Sequence, residues 1–544
     1  MQCSQRILVL DNGAHSIKAA WADPDAPSLS PPVATFRNGI ARSKAARRNF
    51  VADELDLDCH DFGGLTFRVP FERGILNNWD VQKTVWDRVL GEKGRGFQVN
   101  PSETDLLVTE PVLNLPNVQE HYDQIVFEEY DFASYLRCPA PALVPYGLEA
   151  RGAPKAPVPE CALVIDSGFS FTHVVPVLRG RVVPHAVKRI DVGGKLLTNY
   201  LKELVSFRHW YMMDQTSVME HAKEEVCYVS AQWDRDWETA TRDTNNPIVR
   251  TYVLPDFVPT STNKLGYVRT GLTPPPHASP PPPLTTATGN ASGSTSATPA
   301  AAAAEEDEEQ LLHLCNERFT VPEVLFTPST IDMNQAGIAE TVALSISLLP
   351  ASLQGLFWSN VVCVGGNVAF EGFVQRLRQD LRSFAPQQYD VKVTASASPT
   401  TAAASAAASY LSLPADSPLR AHFPSAPLDR SLFVTRQEYH EHGGSNACRR
   451  KFGGAGGAGS LAGVGAGFYW AGCRDRDELE QAVLAEEEEQ GAGKVWGGSS
   501  GQGGPAAGGG ARPAAGEMGG GPPRAAGPQQ RPHQQLQPIG MVLG

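Results

Sequence analysis

The sequence predicts an α/β protein built as two similar halves that face each other across a ligand cleft. Two observations carry this. The apolar run Ile7-Leu8-Val9-Leu10 breaks at Asp11-Asn12-Gly13 and resumes as a strand through Ile17 to Trp21. The same construction returns at Leu163-Val164-Ile165, then Asp166-Ser167-Gly168, then a strand from Thr172 to Val177. Such apolar runs read as buried strands, and Asp, Asn, Ser and Gly each favour the turn between them. Each hairpin tip therefore carries a carboxylate and bare backbone N–H groups, a place suited to a metal-bound phosphate. A single tripeptide of this kind is most often an ordinary turn. The duplicate, each copy behind a strand and each opening one half, points to a nucleotide clamped between the halves. For Asp11 and Asp166 the alternative is turn-capping alone.

At 544 residues there is room for more than one domain and for a large core. A net charge of −13 argues against a surface given over to nucleic acid, while allowing a local basic patch. Nine scattered cysteines without a C-x-x-C pair suit reduced thiols in the cytosol or nucleus. No charged-then-apolar leader begins the chain, and no apolar run reaches the roughly 18 residues that span a bilayer. A soluble intracellular protein without membrane contact is expected, so the glycosylation pattern Asn290-Ala291-Ser292 carries no weight.

In chain order, a Pro-rich turn (Pro24 to Pro32) leads to Phe36–Lys44 and a basic window of Arg42, Lys44, Arg47 and Arg48. A solvated face is the favoured reading of that window; an acidic partner, DNA or an import receptor is the alternative. Val81, Val85, Trp86, Val89 and Leu90 have helical spacing, with Asn78 or Asp80 as cap. Leu106 to Pro111 reads as a strand closed by proline, and Val118 to Tyr130 as a helix. Pro and Gly between Cys138 and Ala153 mark a crossing between the halves. Helices follow from Asp191 through Val205 and across Lys223 to Val229. From about Pro259 to Glu309, Pro, Thr, Ser, Ala and acidic residues lack the apolar content of a core. A disordered insertion is expected there, and a docking site for an aromatic-grooved domain is the lesser alternative. Loop closure rises by only about 0.6 kcal/mol per doubling of length, so a folded host tolerates it.

Folded pattern returns at Phe319 to Phe326, with a helix over Ile338 to Leu348. The strand Asn360 to Val364 then meets Gly365-Gly366-Asn367, and a helix runs from Phe373 to Leu381. That strand–Gly-Gly–helix unit is a third phosphate- or nucleoside-facing candidate. Arg436 heads a short helix, and the core is expected to end near Phe452. Residues 453–544 read as a disordered Gly/Ala/Pro/Gln-rich tail, with one short helix over Asp475 to Glu489. The expected division is 1–160 and 161–395 as the two halves, with 396–452 returning to the first.

Taken together, the segments resemble the actin family, within the actin/Hsp70/sugar-kinase fold. The matching pieces are Leu10-Asp11-Asn12-Gly13 with Lys18, Ile165-Asp166-Ser167-Gly168 with Thr172 to Pro176, Lys223-Glu224 with Cys227-Tyr228-Val229, Gly365-Gly366, and Arg449-Arg450-Lys451-Phe452. They run in the family's order across most of residues 5–452. The resemblance implies two α/β domains around a nucleotide cleft. It implies as nucleotide-binding candidates Asp11, Asn12, Gly13, Lys18, Asp166, Gly168, Lys223, Glu224, Gly365 and Gly366. Within the family, Asn38 to Lys44, Gly74 to Gln82, Phe127 to Tyr130, Ser167 to His173, Val192 to Asn199, Val253 to Phe257 and Asn316 to Phe319 narrow the resemblance. They are similar to nuclear members that sit in SWR/SRCAP-type chromatin remodellers. Those complexes insert a histone variant into nucleosomes with a separate Snf2-type motor. Implied partners are thus the subunits of such a complex and, through it, histones and the nucleosome.

Departures from the family pattern bear on chemistry. Where the first phosphate loop of actin has small Ser and Gly, this chain has Ala14 and His15. Actin's metal-side Asp and the adjacent Gly fall at Phe169 and Ser170, and its water-orienting glutamine at Ala133. A positioning group contributes about 10²–10⁴-fold in rate, and a lost oxyanion-type donor costs about 10²–10³-fold. Losing the metal-side carboxylate also weakens neutralisation of phosphate charge. The expectation is negligible ATP hydrolysis, with no catalytic and no metal-binding residue; ATP or ADP held without turnover stays open. Phe36 to Leu65 is shorter than actin's corresponding subdomain, the loop that contacts the next subunit in filaments is missing, and the insertion near Pro259–Glu309 adds an obstacle, so no filament is expected. Near Ala402 to Ala408, alanine and serine replace an aromatic-Gly-Gly segment. An active ATPase or sugar kinase, or a polymerising cytoskeletal protein, is the competing reading.

Overall fold

The computed structural model describes residues 6–28, 30–44, 46–147, 159–242, 246–256, 263–269, 309–414, 417, 428–452, 467–470 and 473–495. The packing discussed below lies within residues 1–486.

Ile7–Asn12 is buried at every position because it has neighbours on both sides. It pairs antiparallel with Ser16–Ala22 and parallel with Asp105–Glu110. The full sheet runs Val434–Thr435, Ser134–Pro139, Asp105–Glu110, Ile7–Asn12, Ser16–Ala22, Ala34–Arg37. The second sheet repeats the plan. Cys161–Ser167 pairs antiparallel with Thr172–Leu178 and parallel with Val361–Val364, which is parallel to Val393–Ala395. Arg181–Val182 forms the opposite edge, beyond Thr172–Leu178. In both sheets the Asp-containing turn lies at the carboxyl end of parallel strands, where open α/β sheets form their ligand crevices.

Helices pack on these sheets largely as their spacing predicts. Trp79–Leu90 buries Val81, Val85, Trp86, Val89 and Leu90, and the Asn78 side chain caps it by accepting from the Val81 N–H at 3.2 Å. Pro116–Gln124 continues through a π turn, Ile125–Glu129. The Ala/Ser-rich segment is a buried helix, Ala402–Leu411, lying against Ile7–Asn12 and Ser16–Ala22. Its small side chains allow that close approach. The short region after Phe36 forms a small sheet of Arg48–Val51, Ile40–Ser43 and Thr66–Arg68 over its own core of Ala41, Phe50, Leu55, Cys59, Phe62 and Leu65. Arg42, Lys44, Arg47 and Arg48 are all exposed there, and Arg48 pairs with Asp58 at 2.7 Å.

Some expectations need correction. The helix holding Lys223 and Glu224 is Thr216–Val226 and stops there. Cys227 to Val229 leave it extended, with the Val229 N–H donating to the Glu371 carbonyl at 2.8 Å. Folded structure reaches into the expected insertion: Tyr267–Val268 pairs with Arg250–Val253, which also pairs with Leu311–Leu314. The core also extends past Phe452, because Phe468, Tyr469, Trp470, Cys473, Leu479 and Val483 are buried. The helix expected from Asp475 spans Arg476–Val495. The remainder of the expected insertion (259–262 and 270–308) and tail (453–466, 471–472 and 496–544) lies outside the described residues. No helix among the described residues is long and apolar enough to cross a membrane.

Candidate functional site

Both hairpin turns and the Gly365-Gly366 turn meet around a cavity of about 600 Å³. Asp11, Asn12, Gly13, Lys18, Asp166, Gly168, Lys223, Glu224, Gly365 and Gly366 all line it.

In the first turn, Asp11 accepts from Thr109 Oγ1 at 2.7 Å and pairs with Lys18 Nζ at 3.4 Å. That pairing follows from the hairpin register, which sets Asp11 opposite Lys18. The Asn12 side chain turns inward instead, its Nδ2 donating to the Tyr122 hydroxyl at 2.8 Å. Asn38 Nδ2 donates to the Gly13 carbonyl at 2.9 Å and exchanges hydrogen bonds with Gln82. Asn12 thus belongs to a buried amide network that fixes the turn from beneath.

The second turn is held from three directions. Ser167 and Thr172 hydroxyls meet at 2.9 Å, and Thr172 donates to the Val192 carbonyl at 2.9 Å. Asn367 Nδ2 donates to the Gly168 carbonyl at 2.9 Å, while the Gly194 and Lys195 amides donate to Gly168 and Phe169 carbonyls at 2.9 Å. Gly365 has φ +97°, and a Cβ there would run into the backbone of Ser167. Only glycine lets these turns approach so closely. Lys223 is buried, its Nζ donating to Thr198 Oγ1 at 3.0 Å and the Gly194 carbonyl at 3.3 Å. Glu224, one residue on, is exposed at the mouth.

Burial, reinforced by Asp11 and partly offset by Lys18, pushes the Asp166 carboxyl up to about 6. His173, opposite Asp166 in the hairpin, is pushed down to about 3 by burial and then by Arg189. It is therefore a neutral imidazole at the floor of the cleft.

At the phosphate end, His15 and Phe169 are the departures that the sequence singles out, and Phe169 is a candidate to close it. Arg37 and Glu220, which join them, carry no sequence signal. His15 and Phe169, one from each hairpin tip, have ring centroids 5.0 Å apart, within contact range for aromatic pairs. Beside them, buried Glu220 accepts from Arg37 Nη1 at 2.8 Å, and His15 Nε2 lies 2.9 Å from its other oxygen and 2.6 Å from Arg37 Nη1. Glu220 stands on a helix of the second half; Arg37 and His15 belong to the first. Burial alone would raise the Glu220 carboxyl, but Arg37 and His15 hold it well below the usual carboxylate range. A further crossing follows, with Phe171 packed on Gly74 and the Arg189 guanidinium 4.6 Å above the Phe171 ring. Arg189 also donates to the Arg73 carbonyl at 3.3 Å.

Ala133 does not lie at the cleft. It precedes Ser134–Pro139, whose parallel register sets Ser134 level with Asp105 and Cys138 level with Thr109, the partner of Asp11. The cleft-side end of that strand leads to Ala140 and Pro141, which line the cavity with apolar groups. Among the described residues, no side-chain amide stands at that strand end.

Lys223, Glu224, Gly365 and Gly366 are the lining residues that would face a nucleoside. Between the hairpin tips the His15 and Phe169 rings meet and narrow the place where a metal-bound triphosphate would lie. Among the described residues, no group of His, Cys, Asp or Glu is arranged to hold a metal ion.

Comparison with known proteins adds a family. The actin family model matches residues 3–453. An actin-like protein ARP6 from Cryptococcus neoformans is 41% identical over 451 residues, 82% of this chain and 84% of that one. Actin-related protein 6 from Oryza sativa subsp. indica is 36% identical over 447 residues, covering 82% and 98%. The Drosophila melanogaster actin-related protein 6 is 35% identical over 390 residues, covering 71% and 88%.

Proposed function

We infer the function of this chain from its family: it belongs to the actin family. We propose that it is a non-catalytic structural subunit of a nuclear complex that exchanges a histone variant into nucleosomes. In this reading the two halves form one rigid wedge whose loops hold partner subunits, including a Snf2-type ATPase. The similarity to proteins named actin-related protein 6 supports it, together with the segments that narrow the resemblance.

One observation carries the non-catalytic part. The chain's own side chains close the phosphate end of the cleft: His15 against Phe169, and Glu220 tied to Arg37 and His15. Burial pushes the Asp166 carboxyl up to about 6, and Ala140 and Pro141 stand where a water-positioning group would be needed. A nucleotide would supply hydrolysable phosphate, and these residues neither space nor orient it. Lys223, Glu224, Gly365 and Gly366 would hold the nucleoside. Steady-state phosphate release from ATP with magnesium tests the reading. Background-level turnover is expected; robust metal-dependent turnover overturns it.

A further inference from the structure

Residues 467–486 lie beyond the stretch that the family model matches, and they pack across both halves. Phe468 and Tyr469 are buried in the cluster that joins the first half to Val164, Val175, Val177 and Val182 of the second sheet, and the Tyr469 hydroxyl accepts from the Leu113 N–H of the first half at 3.3 Å. The chain then crosses to the second half. Trp470 Nε1 donates to the Leu178 carbonyl at 3.1 Å, and Arg181 lies 5.1 Å above the Trp470 ring. Leu479 and Val483, one helical turn apart, are buried in the second core. Glu486 accepts from Arg181 at 2.7 Å and approaches Arg179 at 3.4 Å.

The same segment covers a sheet edge. Arg181–Val182 is the edge strand of the second sheet, and an edge strand presents unpaired N–H and C=O groups to any extended peptide. Here the Val182 N–H donates to the Phe468 carbonyl at 2.7 Å, and the Trp470 N–H donates to the Val182 carbonyl at 3.0 Å. Tyr469 pairs in parallel with Val182. This is strand addition supplied by the chain itself. The preceding residues 453–466 are rich in glycine.

We propose that residues 467–486 are an intramolecular staple that ties the two halves together and occupies the open edge of the second sheet. Removing one end of a staple must release the other, whereas a segment that merely packs locally would loosen only where it is cut. Two amides report on it: Val182 in the second half and Leu113 in the first.

The test is hydrogen exchange, read by mass spectrometry on the full chain, for Trp470→Ala, Glu486→Lys and Tyr469→Phe. Trp470→Ala is expected to speed exchange at least about tenfold at both Val182 and Leu113. Glu486→Lys, which leaves the aromatic packing in place, acts in the same direction more weakly and serves should Trp470→Ala not fold. Tyr469→Phe removes only the hydroxyl acceptor and speeds Leu113 alone. Unchanged exchange at Leu113 in both Trp470→Ala and Glu486→Lys overturns the staple, as does unchanged exchange at Val182.

Discussion

The ion pairs at Glu220 offer the sharpest prediction about the cleft. Glu220→Gln keeps the size of the side chain and removes the charge that Arg37 and His15 share. Removing one partner of a buried pair costs about 3–5 kcal/mol. Here the Arg37 side chain is 20% exposed and that of His15 31%, so water recovers part of the loss. An expected cost of about 2 kcal/mol follows, roughly a 30-fold gain in opening of the cleft. Hydrogen exchange of the Thr216–Val226 helix reads that opening directly. A cycle with Arg37→Ala isolates the pair, with an expected coupling of about 0.5–3 kcal/mol. The pH dependence has a definite sign. The Glu220 carboxyl is depressed in the fold, so its stabilisation is complete above its ordinary value of 4.5 and is lost as pH falls below that. The Glu220→Gln cost should thus shrink as pH falls below about 4.5. Additivity of the two single variants within about 0.5 kcal/mol would refute the latch.

Other outcomes follow from the same geometry. Gly365→Ala should destabilise by about 2 kcal/mol or more in thermal unfolding, because its φ and the Ser167 backbone both oppose a side chain. Gly366→Ala, where a Cβ would sit 3.9 Å from Thr400, should cost little and serves as its control. Asp166 binds its proton more tightly folded than unfolded, so it subtracts stability as pH rises from 3.8 to about 6. Asp166→Asn should therefore raise the melting temperature near pH 8 and leave it nearly unchanged near pH 4. The pair His15→Gly and Phe169→Asp should open the phosphate end and tighten ATP binding in calorimetry. Turnover should stay about 10²-fold or more below that of actin assayed alongside, since no positioning group is restored.

The hairpins were legible because Asp-Asn-Gly and Asp-Ser-Gly interrupt apolar runs, a purely local signal. The Asn78 cap and the Gly365-Gly366 turn were legible for the same reason. The Glu220 latch was not, since Arg37 and Glu220 are 183 residues apart and neither belongs to a local pattern. Ala133 was misplaced because the register of a parallel strand is set by its neighbour, here Asp105–Glu110, and leaves no mark in its own residues. The packing of 467–486 was overlooked amid glycine. Its signal was present: three successive aromatics at Phe468 to Trp470, followed by Leu479 and Val483 at helical spacing.

The structural-subunit proposal is tested most directly by native purification of the tagged chain from nuclear extract, with its stoichiometric companions identified by mass spectrometry. Recovery of a Snf2-type ATPase together with histone-exchange subunits is the expected result. A lone monomer, or co-purification with filament proteins, would contradict it.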